Sequence, residues 1–585
     1  MDKLRQIFFK ILTPIVLCFL NMFGCLFGSN EMQYTTADVN GSLACTDALG
    51  RSVTSAGNKS EKLVGVFYFL WMGQYGDDTI RDISKIVEAH PDAILSEENW
   101  LAAGGGDQWD FHFWGEPLFG YYRSDDKWVV RKHLQMLTDA GVDFLVFDTT
   151  NQSAFIHVAE VLIDVWHEYL VAGWDVPQLV FYTNYDSGIR MNELYDGLYN
   201  NEALYEKYPR LEELWFKMDG KPMIVGLPDD EALRDDVKDY FRIKTSQWPN
   251  EAKERDGFPW MEFDRTLTLD AVYNDCGTKI MSVSAAQHAD TGAFSPTAWY
   301  GANDRTRSWH NGKNDTSENG MLYGYNFAEQ WEFALKMNPD IIFITGFNEW
   351  VAQRLPANSD AEILFVDCAT ENCSRDVEPS AGALGDNYYL QMVDYIRKFK
   401  NSESAVAKNA QVAMDIDGGF EQWENSEITA KYRDYQADTA DRNSLSHAYT
   451  VTYTDTSGRN DIVNMKVTED AENYYFYVDT AENLTSCTDE NWMTLFINNE
   501  YIVNRTSPAD GKTKVEKRTD AGYESIGEAQ IRFAGNQLML QLPKDMLAST
   551  GSLQFKWADN CNPDDVYSFY TKGDAAPLGR LCYVY

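Results

Sequence analysis

The sequence predicts an α/β protein, a (β/α)8 TIM barrel followed by a C-terminal all-β sandwich domain. Three observations predict it. Short, β-branched apolar runs alternate with amphipathic stretches between residues 61 and 400, the pattern of parallel strands joined by crossover helices. About seven such runs occur, close to the eight of a closed barrel. After Lys400 the pattern changes to short alternating stretches separated by turn residues, the spacing of a sandwich. A doubly wound open sheet is the alternative. It usually carries a Gly-rich nucleotide turn after its first strand, and Trp71-Met-Gly-Gln-Tyr75 is no such turn.

The elements follow in order. Lys3, Arg5 and Lys10 precede an apolar run from Ile11 to Phe27, interrupted by Pro14 and Asn21. That is the make-up of a secretory signal over residues 1–28 and implies a secreted or cell-surface protein. Met22-Phe-Gly-Cys25 loosely resembles a lipoprotein cleavage site, which would anchor the chain through Cys25. No later apolar run is long enough to span a bilayer. Residues 29–60 are polar and read as a linker.

Leu63–Trp71 is the first buried strand. A polar insertion follows, with Gly104 to Gly106 and the aromatic run from His112 to Tyr122. Asp125 is placed to cap a helix running to Ala140, with Val129, Val130, Leu134 and Leu137 on one face and Gly141 as its stop. Further strands are expected at 142–147, 178–182, 222–226, 258–263, 279–285 and 341–345. Helices are expected at 155–170, 211–216, 229–241, 327–337 and 386–399. A second linker, 401–411, leads into a module over 412–585. Its expected strands are 449–453, 462–467, 474–478, 493–497, 530–533, 537–541 and 553–557.

Composition narrows the function. At 585 residues the chain is too long for one core, so two domains are the default. A net charge of -40 disfavours nucleic acid and other polyanions and leaves a neutral or cationic ligand. An aromatic share of 14% supplies flat rings, which fill cores and also stack on sugars. The nine cysteines show no zinc spacing. In an exported chain, Cys368 with Cys373 and Cys487 with Cys561 or Cys582 are candidate pairs. No Walker loop, GxSxG, HExxH or CxxC motif is present, and the eight His have no ligand spacing.

What remains is carboxylates and aromatics at strand ends. Asp148, Asp186, Glu262, Asp264 and Glu349 fall at or just after expected strands. In a barrel of parallel strands that end carries the chemistry. Two carboxyl groups kept apart by environment, one protonated and one charged, are what glycoside hydrolysis needs. Glu349, Asp148 and Glu116 are the catalytic candidates. His112, Trp114, Tyr121, Asn184, His288, Trp299, Asn348 and Trp350 are the substrate-binding candidates. The aromatic residues among them are, taken singly, more often core than ligand contacts. No cofactor is needed for this catalysis, and a glycan is the expected partner.

Ile344-Thr-Gly-Phe-Asn-Glu-Trp350 resembles a segment of endo-α-mannosidase-type glycoside hydrolases and their WbsX-like relatives, which are (β/α)8 barrels acting on α-linked glycans. The resemblance implies that Glu349 deprotonates a sugar 2-hydroxyl. The family pattern places a second Glu three residues on, as the general acid/base, where this chain has Ala352. Another carboxylate then serves as the acid, with Glu116, Asp148 and Asp186 as candidates, or the mechanism differs, or glycan is bound without cleavage. A transferase or lyase on the same barrel is a further reading. Ile416-Asp-Gly-Gly-Phe-Glu-Gln-Trp423, with the runs 474–478 and 492–497, resembles family 9-type carbohydrate-binding modules. That resemblance implies a structural calcium, with Asp415, Asp417 and Asp479 as oxygen ligands. The plain reading of those three is as turn residues.

Overall fold

The computed structural model describes residues 43–57, 60–75, 78–248, 251, 254–261, 273–275, 278–287, 295–317, 319–401, 411–548 and 552–585. Eight parallel strands form a nearly closed barrel. They are β1 Leu63–Phe69, β2 Phe144–Asp148, β3 Gln178–Tyr182, β4 Lys221–Gly226, β5 Arg242–Gln247, β6 Gly257–Pro259, β7 Thr278–Val283 and β8 Ile341–Ile344. Neighbours pair in sequence order, and β8 closes back on β1 with Ile344 opposite Val66. Among the described residues β6 and β7 do not pair, and Tyr273–Asp275 lies antiparallel on that edge of β7.

The strand missing from the sequence expectation is β5. Its sequence, Arg-Ile-Lys-Thr-Ser-Gln, lacks the apolar run that marks the others, yet Lys244 is fully buried within it. Arg242 joins its start to Asp219 and Asp256 at 3.0 and 2.9 Å, so ion pairs replace apolar packing there. The expected strand 258–263 ends at Pro259, and Glu262 and Asp264 lie outside the described residues.

Described helices on the barrel include α1 Lys127–Ala140, α2 Ile156–Val171, α3 Ser187–Leu194, α4 Asp235–Tyr240, α5 Tyr325–Met337 and α6 Asn387–Lys400. Asp126, not Asp125, caps α1 by accepting the Trp128 N–H, while Asp125 pairs with Arg123. Gly141 ends α1 at φ 80°, a conformation that favours glycine. The segment 211–216 makes a single 3₁₀ turn, Leu211–Leu214. α4 is shorter than expected, starting at Asp235.

The C-terminal residues form antiparallel sheets of a β-sandwich. The longest strand, Gly522–Ala534, pairs through its first part with Lys512–Thr519 and through its last with Gln537–Pro543. Leu43–Thr46, ahead of the barrel, pairs with Cys582–Val584 on one side and Ser52–Val53 on the other, so the chain's first described strands join the last sheet. Expected strand 449–453 appears as Thr452–Asp455, paired with Arg442–Leu445 in a separate ribbon.

α1 explains how the two parts join. Val129, Val130, Leu134 and Leu137 face the barrel core. The other face is buried too, and it is polar. Gln135 donates to Asp438 at 3.0 Å, Asp139 accepts from Tyr435 at 3.0 Å, and Tyr435 stacks on Trp174 at 3.8 Å. Ahead of α6, Asp386 takes Arg580 and Tyr570 of the sandwich. Among the described residues every cysteine is a free thiol. The candidate disulfides do not form: Cys368 packs in the barrel core, Cys373 packs against Ala286, and the Cys561 thiol donates to backbone carbonyls. No helix among the described residues is long and apolar enough to cross a membrane.

Candidate active site

β8 opens into its loop through Gly346, at φ 134°, where a Cβ would come within 3.0 Å of the Arg375 carbonyl oxygen. Only glycine allows that backbone path and that approach. The next residues are anchored one by one. The Phe347 N–H donates to Phe67 O at 2.9 Å. Asn348 grips the end of β1: its Oδ1 accepts the Phe69 N–H at 2.8 Å and its Nδ2 donates to Phe69 O at 3.2 Å. Phe69 is also the register partner of Asp148, so β1 links the ends of β8 and β2.

Glu349 stands on this scaffold, buried at the C-terminal end of the barrel. Its N–H donates to Asp376 Oδ1 at 2.6 Å and its carbonyl accepts the Trp114 indole N–H at 2.9 Å. Trp114 stacks on Trp350 at 4.2 Å. The Trp350 indole donates to Glu378, which also takes Tyr122 OH at 2.7 Å and His133 Nε2 at 3.0 Å. Beneath the loop lies a buried carboxylate with three donors, which fixes Trp350 and through it the position of Glu349.

The Glu349 carboxylate meets Arg375 Nη2 at 2.6 Å, and the same nitrogen takes Asp367 Oδ1 at 3.0 Å. The two carboxylate oxygens are therefore closer together than the about 6.5 Å minimum of a water-spaced inverting pair. The Arg375 guanidinium lies 5.1 Å from the Trp260 ring, which follows β6. Burial pushes Glu349 well above the ordinary carboxylate range. Arg375 opposes that shift, and the charges of Asp367, Asp376 and Asp148 add to it.

Asp148, the last residue of β2, is buried and faces the same charges. Burial raises its pKa to about 6, against hydrogen bonds from Thr150, and Asp367 raises it further. Thr150 donates its N–H and hydroxyl to the same oxygen, Oδ1, at 3.0 and 2.7 Å. Tyr75, after β1, also feels Asp148: burial first, then that charge, pushes its phenol up to about 12. Trp248, after β5, packs edge-on against Trp260 at 4.8 Å. Tyr75 and Trp248, 44% and 39% exposed, put aromatic faces on the rim of the acid cluster.

The structure thus brings together Glu349, Asp148, Trp114, Asn348 and Trp350. It sends the other expected residues elsewhere. Glu116 is half-buried and pairs with Lys85 at 2.5 Å. Tyr121 donates to Asp82 at 2.7 Å, in the same small cluster as Glu116. His112 is fully buried against Trp100 and Phe365, with both ring nitrogens on the carbonyls of Gly105 and Asp110. Trp299 packs against that same apolar cluster. Asn184, after β3, accepts from Ser246 of β5 at 2.9 Å. Asp186 is exposed at the start of α3. His288 lies outside the described residues. In the sandwich, Asp415 Oδ1 accepts the Asp417 N–H, a turn bond, and Asp479 accepts from Asn464 and Tyr477.

Ala352 is 1% exposed and lies on a strand, Val351–Leu355, opposite His112. Its neighbours are Trp100, Ile363 and Phe365. Position 352 therefore faces an apolar cluster and not the acids. Sequence reading missed Asp367, Arg375, Asp376 and Glu378. All four come from the loop between β8 and α6, where charged residues read as solvated surface. The available signal was Ser374-Arg-Asp-Val-Glu378, a charge cluster directly before Pro379 in a segment without helical or strand period.

No family model matches the chain, and no curated protein matches it. Two solved structures of the GH99 endo-alpha-mannosidase from Bacteroides thetaiotaomicron, one in complex with BIS-TRIS-Propane, are similar to it at 16% sequence identity. Each similarity covers 58% of this chain and 97% of the other, with TM-scores of 0.34 and 0.35. A likeness at this level carries no argument about activity, which has to rest on the site itself.

Proposed function

We propose that the chain is a glycoside hydrolase that cleaves a neutral, α-linked glycan by carboxylate acid/base catalysis. The observation that carries the reading is the placement of two buried, mutually interacting acids, Glu349 and Asp148, at the C-terminal ends of β8 and β2. Their environments differ as acid and base roles require. Glu349 takes the base role in this reading: burial raises it well above the ordinary range, and Arg375, set directly against it, opposes that rise and is placed to hold its negative charge. Asp148 has no cationic partner among its hydrogen bonds and is pushed up to about 6, so it takes the acid role at pH values below about 6. Tyr75 and Trp248 supply exposed aromatic rings for a sugar. The net charge of -40 suits a neutral glycan better than an acidic one.

The same reading makes the protein exported, on the basic start and the apolar run Ile11–Phe27. N-terminal sequencing of the mature secreted protein checks it, and an intact Met1 there refutes it.

The activity test is product release from a panel of neutral α-glycans by the parent, Glu349→Gln and Asp148→Asn. Each variant is expected to lose roughly 10²–10⁴ in turnover, the scale of one positioned acid or base. Full activity in Glu349→Gln sinks the proposal. Tight binding without any product in the parent supports a glycan-binding protein instead.

A further inference from the structure

The contact between α1 and the sandwich contains an acid cluster that the proposed catalysis does not use. Asp434 and Asp438 follow the strand Lys431–Arg433, and Asp574 begins the strand Asp574–Ala576. One carboxylate oxygen from each lies within 4.8 Å of the other two, and all three residues are buried. Carboxylates in such a place need donors. Each has one oxygen with no hydrogen-bond partner: Asp434 Oδ2, Asp438 Oδ1 and Asp574 Oδ1. The residues are 4%, 3% and 1% exposed, so bulk solvent does not reach these oxygens. Asp461, half-buried beside them, repeats the pattern: Oδ2 accepts the Ala437 N–H at 2.9 Å and Oδ1 has no partner.

The second oxygens of Asp574 and Asp438 are held, which orients their free ones. Asp574 Oδ2 accepts the Ile462 N–H at 2.6 Å, and Asp438 Oδ2 accepts from Gln135 of α1 at 3.0 Å. The oxygen of the Gln135 amide, Oε1, is buried and also without a hydrogen-bond partner. It belongs to the barrel, so the evidence for a missing ligand does not come from the acids alone.

Charge gives the same answer. The cation in direct contact is Lys132, whose Nζ lies 3.5 Å from Asp438 Oδ2. The next groups out are Asp461, Asp139 and Lys556, two acids and one base. Three buried carboxylates against one ammonium leave an excess that a single divalent cation neutralises.

We infer that Asp434, Asp438 and Asp574 bind a calcium ion that fastens the C-terminal sandwich to α1 of the barrel. The donors are all oxygen, which selects a hard cation. Calcium tolerates a site built mainly of protein oxygens, whereas magnesium usually keeps several of its waters, which suits an exposed site better than this buried one. The site is separate from the Asp415–Asp417 turn.

The test uses the full chain, stripped with EGTA and dialysed. Elemental analysis of the protein before stripping is expected to find calcium. Returning calcium to the stripped chain is expected to raise the melting temperature saturably, by about 5 °C or more. Asp434→Asn with Asp438→Asn should abolish that response, and Asp415→Asn with Asp417→Asn should leave it intact. The parent alone also decides the matter through terbium luminescence sensitised by the neighbouring Tyr435 and displaced by calcium, so a variant that fails to fold does not stall the test. No calcium-dependent rise, an equal rise with magnesium, or a response abolished only by the Asp415 and Asp417 changes overturns the inference. So does a stripped chain that gains stability only on acidification, because protons would then be what settles the cluster.

Discussion

Ala352→Glu separates the resemblance from the structure. By resemblance, a Glu at 352 completes the catalytic pair and raises activity. The structure says otherwise. Ala352 is 1% exposed and packs in the cluster of Trp100, Ile363 and Phe365. The cross-strand neighbour His112 offers no ion pair, because both its nitrogens face backbone carbonyls and burial pushes its pKa down to about 4. An inserted carboxyl must then be neutral to stay buried. Moving a Glu from about 4.3 to above 7 costs roughly 4 kcal/mol at neutral pH. The added volume costs about 1–3 kcal/mol more in a packed cluster. Against a total stability of about 5–15 kcal/mol, the variant should melt at least about 8 °C below the parent at pH 7. The sign with pH follows. The folded-state pKa is raised, so the ionisation penalty grows as pH climbs above the unfolded value of about 4.3 and vanishes below it. Thermal melts of parent and variant at pH 7 and pH 4, with Ala352→Val as a volume control, make the comparison. A variant that melts with the parent at pH 7 and gains turnover refutes this placement of residue 352.

Four further outcomes are expected. Asp148→Asn should remove the alkaline limb of the pH–rate profile, because the proton Asp148 supplies is lost as pH rises through about 6; an unchanged limb assigns the acid to another group. Trp248→Ala should raise KM roughly 2–10-fold with kcat held, the scale of one aromatic stacking contact, in steady-state kinetics on an active glycan. Trp350→Phe keeps the stack on Trp114 and deletes the indole donor to buried Glu378; urea unfolding should show a loss of about 1–3 kcal/mol. Asp386→Ala leaves Arg580 and Tyr570 without their buried acceptor; a loss of about 3–5 kcal/mol should appear by calorimetry, with the sandwich transition moving first.

The local pattern determined a good deal. Apolar, β-branched runs such as Ile341–Ile344 and Phe144–Phe147 can only be strands covered on both faces, and their order with amphipathic helices specifies a parallel barrel. The same rule put Glu349 and Asp148 at the reactive end, because a polar residue straight after such a strand falls at its C-terminal edge. Asn348, Trp114 and Trp350 were also legible as neighbours of that point, and in the fold all three are buried in the scaffold that holds Glu349. β5 was not legible, because Arg242 and Lys244 stand where its apolar run would be. His112 and Tyr121 were misplaced because an aromatic run in a polar insertion looks the same whether it lines a cleft or fills a side cluster.

Tertiary structure alone decided the rest. Arg375 and Asp367 reach Glu349 from a loop with no periodicity, across 26 and 18 residues of chain, and nothing in sequence spacing encodes that return. The join of Leu43–Thr46 to Cys582–Val584, and of α1 to Asp438, connects residues hundreds of positions apart. Hydrophobic periodicity reports which face of an element is buried, and it does so within a few turns of chain. Which charges meet on that buried face depends on packing between distant elements, and only the folded chain sets that.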